Sequence, residues 1–331
     1  MNRRRIHLTG IFLALSVAFL STPLKAEVVK IRMGVNVSPH YYTLFLERQD
    51  LLKNYGKTYQ IEWYTFSGGG DAMPALAANK LDGTLMTPYP FANAILKAKL
   101  DLTAVNQLIS FGEEGHYADQ WVVRIDSGIN SPKDLKGKVI GINAIGSTLD
   151  MGVRIVLNRY GYVAGKDYTI VEAKPPHIPS MVQDKKLDCG VTFQPFYTQA
   201  HLRGGIKDIA DDITIYGEPV DYVFNVFQTD FIKKNPQVIR DFLEDYVLAI
   251  KWARANRSEA ARIFAKNWKL EEGLQQQIYM TKKDNYVRPN GKLIPAKVQR
   301  VMDVLFENGF LKEKFDVTPY IDNAYLPKGA E

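Results

Sequence analysis

The first third of the chain alternates short apolar runs with amphipathic stretches. Runs rich in β-branched and aromatic residues predict strands. These strands are 29–35, 59–65 and 81–86. Between and after them, apolar residues recur at helical spacing, which predicts a helix over 42–55 and others that end at Ala78 and Lys97. Strands that alternate with helices are typical of a mostly parallel sheet with helices on its faces.

The middle of the chain repeats this plan, and the last third is mainly helical. Five further apolar runs predict strands at 121–124, 139–142, 169–172, 189–193 and 222–228. Asn235 and Pro236 then begin a long helix, whose apolar residues fall on one face. Those residues are Phe242, Leu243, Tyr246, Ile250 and Ala253. Helices are also predicted through Trp268 and over 296–308.

The stretch 131–149 is the most specific part of the chain. Ser131 and Pro132 are suited to cap and begin a short helix, and a buried strand over 139–142 follows. A Gly-Ser-Thr turn then leads into a helix over 149–160. Because the first-turn N–H groups of a helix have no partner inside it, this arrangement predicts a site for an anion or a polar ligand.

The N-terminus has the pattern of a secretion signal. Arg3, Arg4 and Arg5 precede an apolar run of about ten residues, and Ala26 offers a small residue for cleavage. A membrane-spanning helix needs roughly 20 apolar residues, so we expect a cleavable signal over 1–26 rather than a retained anchor. Twin-arginine export stays open beside ordinary secretion. The expected location is the periplasm.

Composition excludes several classes of function. The net charge is +6, but residues 1–26 hold four basic and no acidic residues, which leaves 38 basic and 36 acidic residues after cleavage. No basic cluster then favours nucleic acid or a membrane surface as a partner. Cys189 is the only cysteine, which excludes a lipid anchor, an internal disulfide and a cysteine-rich metal site; we expect it in the core. The remaining 305 residues are more than a single hydrophobic core usually holds, which predicts two lobes.

The stretch 131–149 resembles the start of the second lobe in periplasmic solute-binding proteins of the nitrate/sulfonate/taurine group, which includes thiamine-precursor binders. The end of the chain, over 320–326, is similar to the close of these proteins. The resemblance implies an α/β fold of the type II periplasmic-binding class, with a cleft between two lobes and crossovers near 111–120 and 218–225. It implies lobe one at 27–112 and 224–331, and lobe two at 113–223.

Candidate ligand residues follow from this fold, because ligands of open α/β sheets bind beyond the carboxyl ends of strands. In lobe one the rule selects Ser38, His40, Tyr41, Ser67, Gly69, Gly70, Thr87 and Tyr89. In lobe two it selects Gly146, Ser147, Thr148, Phe193 and Gln194. Hydroxyl and free N–H groups suit a sulfonate, carboxylate or nitrate, and aromatic rings can cover an organic body.

Several candidates have a purely structural alternative. The two Gly/Ser turns can serve as strand-to-helix turns only, and Ser38 can cap a helix. Tyr41 and Tyr42 are adjacent in a predicted helix, so both cannot face the cleft. His40 can be a hydrogen-bonded loop residue, and Trp121 is expected in the core.

The chain lacks the nucleophile-elbow, zinc-protease, phosphate-loop and dinucleotide signatures, so we expect no enzyme activity, cofactor or metal. The resemblance implies a monomeric hinged clamp that captures a small organic anion and delivers it to the permease and ATPase subunits of an ABC importer. Three alternatives stay open: a periplasmic enzyme acting on an aromatic acid, a binder of a neutral pyrimidine-type heterocycle, and a sensor subunit.

Overall fold

The computed structural model describes residues 27–35, 40–66 and 72–328. The predicted signal over 1–26, with its cleavage after Ala26, lies outside these residues. Among the residues described, no helix is both long and apolar enough to cross a membrane.

The first sheet is built from the start of the chain and one strand that returns to it much later. Its strands are β1 (Val29–Val35), β2 (Tyr59–Thr65), β3 (Gly83–Met86), β4 (Leu102–Phe111) and β10 (Val220–Gln228). Their order is β2-β1-β3-β10-β4, and β10 runs antiparallel to both of its neighbours. The helices between these strands are α1 (His40–Glu47), α2 (Met73–Ala77) and α3 (Pro88–Leu96).

The second sheet has the same plan. Its strands are β5 (Gln120–Arg124), β6 (Val139–Ile142), β7 (Thr169–Glu172), β8 (Cys189–Thr192) and β9 (Ile206–Asp211), in the order β7-β6-β8-β5-β9. Here β5 is the strand antiparallel to its neighbours. The accompanying helices are α4 (Thr148–Asn158), α5 (Ile178–Gln183), α6 (Phe196–Arg203) and α7 (Asp212–Tyr216). In each sheet, therefore, four strands share a direction and one opposes them.

Five helices complete the chain: α8 (Thr229–Lys234), α9 (Pro236–Ala255), α10 (Arg257–Trp268), α11 (Glu272–Ile278) and α12 (Pro295–Glu307). The apolar face predicted for the long helix is buried in α9. Short 3₁₀ helices occur at Gln49–Leu51, Glu113–Gly115, Pro132–Leu135, Pro175–His177 and Thr318–Tyr320. Trp121 and Cys189 both lie in the core, as expected.

The chain passes twice between the sheets, through residues 112–119 and 212–219, which we call the crossing segments. The second of them contains α7. β10 begins at Val220, which already pairs with Phe111 of the first sheet. The lobe boundaries themselves stay a prediction.

The helix predicted over 42–55 is wrong in extent, because α1 ends at Glu47. A tertiary contact explains the difference. The carboxylate of Asp245, fully buried in α9, accepts hydrogen bonds from the backbone N–H groups of Lys53, Asn54 and Tyr55. These groups are thus held by a partner from another helix, which competes with the local helical ladder.

Candidate functional site

The crossing segments join the two sheets at their carboxyl edges. β10 is antiparallel to β3 and β4, so β10 starts and β4 ends at the edge where β1, β2 and β3 also end. In the second sheet, Gln120 at the start of β5 pairs with Thr192 at the end of β8 and with Asp211 at the end of β9. The loops after the parallel strands therefore lie at the two edges that the crossing segments join.

Four lobe-one candidates, namely Ser38, Ser67, Gly69 and Gly70, lie outside the described residues and stay predictions. They follow β1 and β2, which end at Val35 and Thr65.

His40 is the first residue of α1 and is only 7% exposed. Its Nε2 lies 2.8 Å from Oδ2 of Asp284, and its ring packs on Phe264 and Tyr279. Among the residues described, its buried Nδ1 has no hydrogen-bond partner. One ring nitrogen of His40, Nε2, is thus hydrogen-bonded within the protein. A ligand contact stays a prediction for the other, Nδ1.

The placement of Tyr41 disagrees with the prediction that it contacts a ligand. Its side chain is 1% exposed, its ring packs edge-on against Phe45 and Tyr246, and its hydroxyl donates to Oδ1 of Asn225 at 3.1 Å. Burial raises the pKa of this phenol. Since α1 presents Tyr41 to the core, Tyr41 is the member of the tyrosine pair that packs. Tyr42 is half-buried against the rings of two tryptophans.

Thr87 and Tyr89 lie where β3 passes into α3. Thr87 occupies the N-cap position with extended backbone angles, and its side chain makes no capping hydrogen bond. The ring of Tyr89 is half-buried and meets Phe310 edge-on, with ring centres 6.5 Å apart. Both residues are at the predicted edge, although the Tyr89 ring contacts its own half of the molecule.

The turn before α4 has the predicted geometry of a helix N-terminus. Gly146 has a φ of +80°, and Ser147 is the N-cap, whose Oγ accepts from the N–H of Asp150 and donates to Asn143. The N–H groups of Thr148 and Leu149 lie ahead of the helix's own hydrogen-bond ladder. They remain the donors that this helix offers to a ligand.

Asp150 is a residue of this turn that the sequence reasoning missed. Its carboxylate accepts from the N–H of Gly146 at 2.8 Å and from Nε of Arg154 at 2.8 Å, and it is 3% exposed. The spacing of Ser147 and Asp150, three residues apart, is a capping pattern and was the available signal. The chain's own carboxylate thus takes up one donor of the turn.

Phe193 and Gln194 follow β8, and both are half-buried. The amide nitrogen of Gln194 donates to the carbonyl of Lys283 at 2.7 Å. Since Lys283 lies in the C-terminal part of the chain, this bond connects the second sheet's loop to the segment after α11. The ring of Phe193 packs on Phe196 of its own loop and helix, 5.8 Å away.

The crossing segments carry two polar residues that sequence reasoning also missed, the buried Asp212 and the half-buried Asp119. The backbone N–H of Asp119 donates to Oδ2 of Asp212 at 2.9 Å. Burial raises the pKa of Asp119 to about 7 and that of Asp212 well above its ordinary range. Burial also raises the pKa of Tyr222, while hydrogen bonds with the side chains of Thr148 and Tyr216 oppose the rise. No sequence signal joins the aspartates, because 93 positions separate them.

The described residues contain no group of three or more histidine, cysteine or acidic side chains placed to hold a metal ion.

Comparisons with known proteins show which family and which proteins this chain is similar to. The sequence model of the NMT1-like family matches residues 24–267. A protein of Bacillus subtilis (strain 168) named as an aliphatic sulfonates-binding protein is 23% identical over 311 residues, 92% of this chain and 89% of that protein. Its counterpart in Escherichia coli (strain K12) is 22% identical over 92% of each chain.

Solved structures agree on the fold. The periplasmic aliphatic sulphonate binding protein SsuA from Escherichia coli superposes with a TM-score of 0.71 at 22% identity, over 90% of this chain and 99% of that one. The alkanesulfonate-binding protein SsuA from Xanthomonas axonopodis pv. citri, bound to MOPS, gives 0.68 at 18% identity, over 90% and 99%. The two-sheet α/β architecture is therefore that of periplasmic binding proteins.

Proposed function

The chain belongs to the NMT1-like family, and on that premise we propose that it is the periplasmic substrate-binding component of an ABC importer for a small organic anion. The observation that carries the proposal is the α4 N-terminus at the carboxyl edge of the second sheet, joined to the first sheet by two crossing segments. Both relatives compared above are named for aliphatic sulfonates, which makes a sulfonate the first ligand to test.

The α4 turn supplies the anion contact in this proposal. The backbone N–H groups of Thr148 and Leu149 donate to ligand oxygens, at a helix end equivalent to about half a positive charge. Asp150 holds Gly146 in place and is itself balanced by Arg154. The turn therefore offers hydrogen bonds and a dipole without a free cation of its own, which suits a singly charged head group.

The first lobe supplies the opposite wall. Ser38, Ser67, Gly69 and Gly70 stay proposed contacts there, together with Nδ1 of His40. Closure brings the two walls together around the ligand, because a ligand that touches both shifts the open–closed equilibrium by its differential affinity. The closed monomer then docks on the permease, whose ATPase subunits drive import. The protein reaches the periplasm by export, with cleavage of its signal after Ala26.

The experiment is a ligand screen on residues 27–331, unfolded and refolded to remove co-purified ligand. Thermal shift is measured with alkyl and aryl sulfonates, aromatic carboxylates, nitrate and thiamine-type pyrimidines. Ligand at about 1,000 times its Kd adds about 4 kcal/mol of stability. A sulfonate that shifts Tm and is recovered unchanged supports the proposal. A compound that is consumed supports the enzyme alternative instead, and a response to pyrimidines alone contradicts the anion.

Ser147→Asp tests the α4 turn with the best sulfonate from that screen. A carboxylate at this N-cap repels the bound anion, and like charges brought together cost several kcal/mol, so we expect affinity to fall roughly 100-fold. Ser258→Asp is the matched control, since Ser258 lies exposed in the first turn of α10. Calorimetry that finds equal affinity in both variants removes the α4 turn from the site.

A further inference from the structure

Buried polar atoms without a hydrogen-bond partner are concentrated around the first turn of α1. Nearly all buried polar groups in native proteins are paired, so each exception calls for an explanation. Among the described residues, six side chains hold such an atom, and four of these belong to α1 or pack on its first turn. The four atoms are Nδ1 of His40, Nε1 of Trp63, Nε1 of Trp268 and Oη of Tyr279. This turn lies at the carboxyl edge of the first sheet, since it follows the end of β1.

His40 and Tyr279 are the most deeply buried of the four, at 7% and 0% exposure. Their ring centres lie 4.8 Å apart, and Phe264 of α10 stacks on the His40 ring at 5.5 Å. Helical side chains lean toward the N-terminus of their helix, and His40 is the first residue of α1. Its ring therefore extends toward the sheet edge, where the neighbouring rings hold it in one orientation.

Asp284 determines which nitrogen of His40 carries the proton. Its carboxylate accepts the backbone N–H of Met280 at 2.8 Å and that of Asn285 at 2.9 Å. It is an acceptor toward His40 as well, so Nε2–H donates to its Oδ2 at 2.8 Å. In a neutral imidazole whose proton is on Nε2, Nδ1 carries a lone pair and is an acceptor. Within the described residues, the hydrogen-bond network thus leaves a buried acceptor without a donor at this edge.

We infer that Nδ1 of His40 accepts a hydrogen bond from the ligand, so that the site selects organic anions that carry a donor, such as a hydroxyl group, on their body. The inference rests on the proposed function, because the α4 turn holds the anionic head group while His40 contacts the body from the first lobe. His40 is then a specificity-determining residue, whose tautomer Asp284 fixes.

The unpaired acceptor decides the direction of this selection. A ligand without a donor leaves Nδ1 buried and unpaired, whereas a ligand with a donor pairs it. Sites built to bond a ligand hydroxyl discriminate strongly against the analogue that lacks it. In a wall without such an acceptor the preference is reversed, because burying the added hydroxyl without a partner costs affinity.

Calorimetry on residues 27–331 tests the inference with matched pairs of ligands. Each pair consists of a straight-chain alkanesulfonate and the same compound with a hydroxyl on its last carbon, in chains of two to four carbons. We expect the hydroxyl compound to bind about tenfold more tightly than its parent at the chain length that reaches Nδ1.

Two substitutions of His40 separate the roles of its nitrogens. In His40→Gln the amide nitrogen takes the position of Nε2 and donates to Asp284, but nothing replaces Nδ1. We expect the two members of each pair to bind this variant with similar affinity. In His40→Asn the amide oxygen takes the position of Nδ1, so part of the preference for the hydroxyl compound remains.

His201→Gln is the matched control, because Nε2 of His201 also bonds an aspartate, Asp208, at 2.9 Å, but in α6 beside the second sheet. It keeps the preference of the unmodified protein. Tyr279→Phe removes the neighbouring unpaired hydroxyl and also keeps the preference, since the acceptor is on His40.

Equal or weaker binding of the hydroxyl compound at every chain length overturns the inference, and so does a preference that His40→Gln retains in full. The first of these outcomes needs no variant, so the inference is tested even if the substitutions prevent folding. If the parent sulfonates bind in that case, the proposed function stands and only the role of His40 is wrong. If no member of any pair binds, the sulfonate ligand is contradicted as well, and the inference fails with it.

Discussion

Substitution of Asp221 by asparagine tests how the C-terminal segment is held on the first sheet. Asp221 lies in β10 and is fully buried. Its carboxylate accepts hydrogen bonds from both terminal nitrogens of Arg288, at 3.0 and 3.1 Å, from the hydroxyl of Ser110, and from the N–H of Ile294 at 2.8 Å. Asp221→Asn removes the charge while almost preserving the volume.

The expected loss of stability depends on the buried charge of Arg288, which Asp221→Asn leaves without its main partner. Arg288 is only 8% exposed, and an unpaired buried charge costs about 3–5 kcal/mol. Glu113 still lies 3.9 Å from Arg288 and is itself paired with Lys297, so partial compensation remains. We therefore expect the free energy of unfolding to fall by about 3 kcal/mol, which for a chain of this length lowers Tm by about 5 °C.

Urea unfolding and calorimetry measure both quantities. The control is Asp126→Asn, which breaks an exposed pair and changes stability by less than about 0.5 kcal/mol. The double variant Asp221→Asn with Arg288→Met removes both charges and recovers part of the loss, because the uncompensated arginine is gone. A single variant that loses no more than the control, or a double variant that adds a full second loss, refutes the reasoning.

Three further predictions concern the turns and the cysteine. Gly112→Ala should lower the free energy of unfolding by about 2 kcal/mol, since φ is +67° and an added Cβ would lie 2.3 Å from Ile213. Gly128→Ala, with φ of +74° and open space around it, should cost about half as much in the same urea experiment. Ser147→Ala should cost about 1 kcal/mol through loss of the N-cap, and an unchanged urea midpoint contradicts the cap. Because burial raises the pKa of Cys189, a thiol reagent at pH 8 should modify it only after unfolding; reaction of the native protein contradicts its placement.

The sequence predicts the fold where local pattern and tertiary packing agree. The strands over 29–35, 59–65, 139–142 and 169–172 match the structure to the residue, and the one predicted over 121–124 begins one residue earlier, at Gln120. These runs are rich in β-branched and aromatic residues, so local propensity favours the extended conformation that the sheets then pair. The α4 start was predictable for a similar reason, since a capping serine stands before an apolar helical pattern.

The features that the sequence does not predict depend on contacts between residues that are far apart in the chain. The end of α1 depends on Asp245, some 190 positions later, and the Asp119–Asp212 contact spans 93 positions. Of the two adjacent tyrosines, Tyr41 faces the core, where its hydroxyl donates to Asn225 on β10. Local periodicity holds no information on such pairings, because they arise only when the sheets assemble.

The position of β10 between β3 and β4 fixes an order of assembly during synthesis. The second sheet is complete once residue 211 has been made, whereas the first lacks a strand from its interior until residue 228. Chains are made at about 5–20 residues per second and domains fold as units, so the half encoded in the middle is ready first. Until then β4, ten residues long, has no strand beside it in its sheet. A chain cut short after residue 219 can thus finish its second sheet and leaves the first one open.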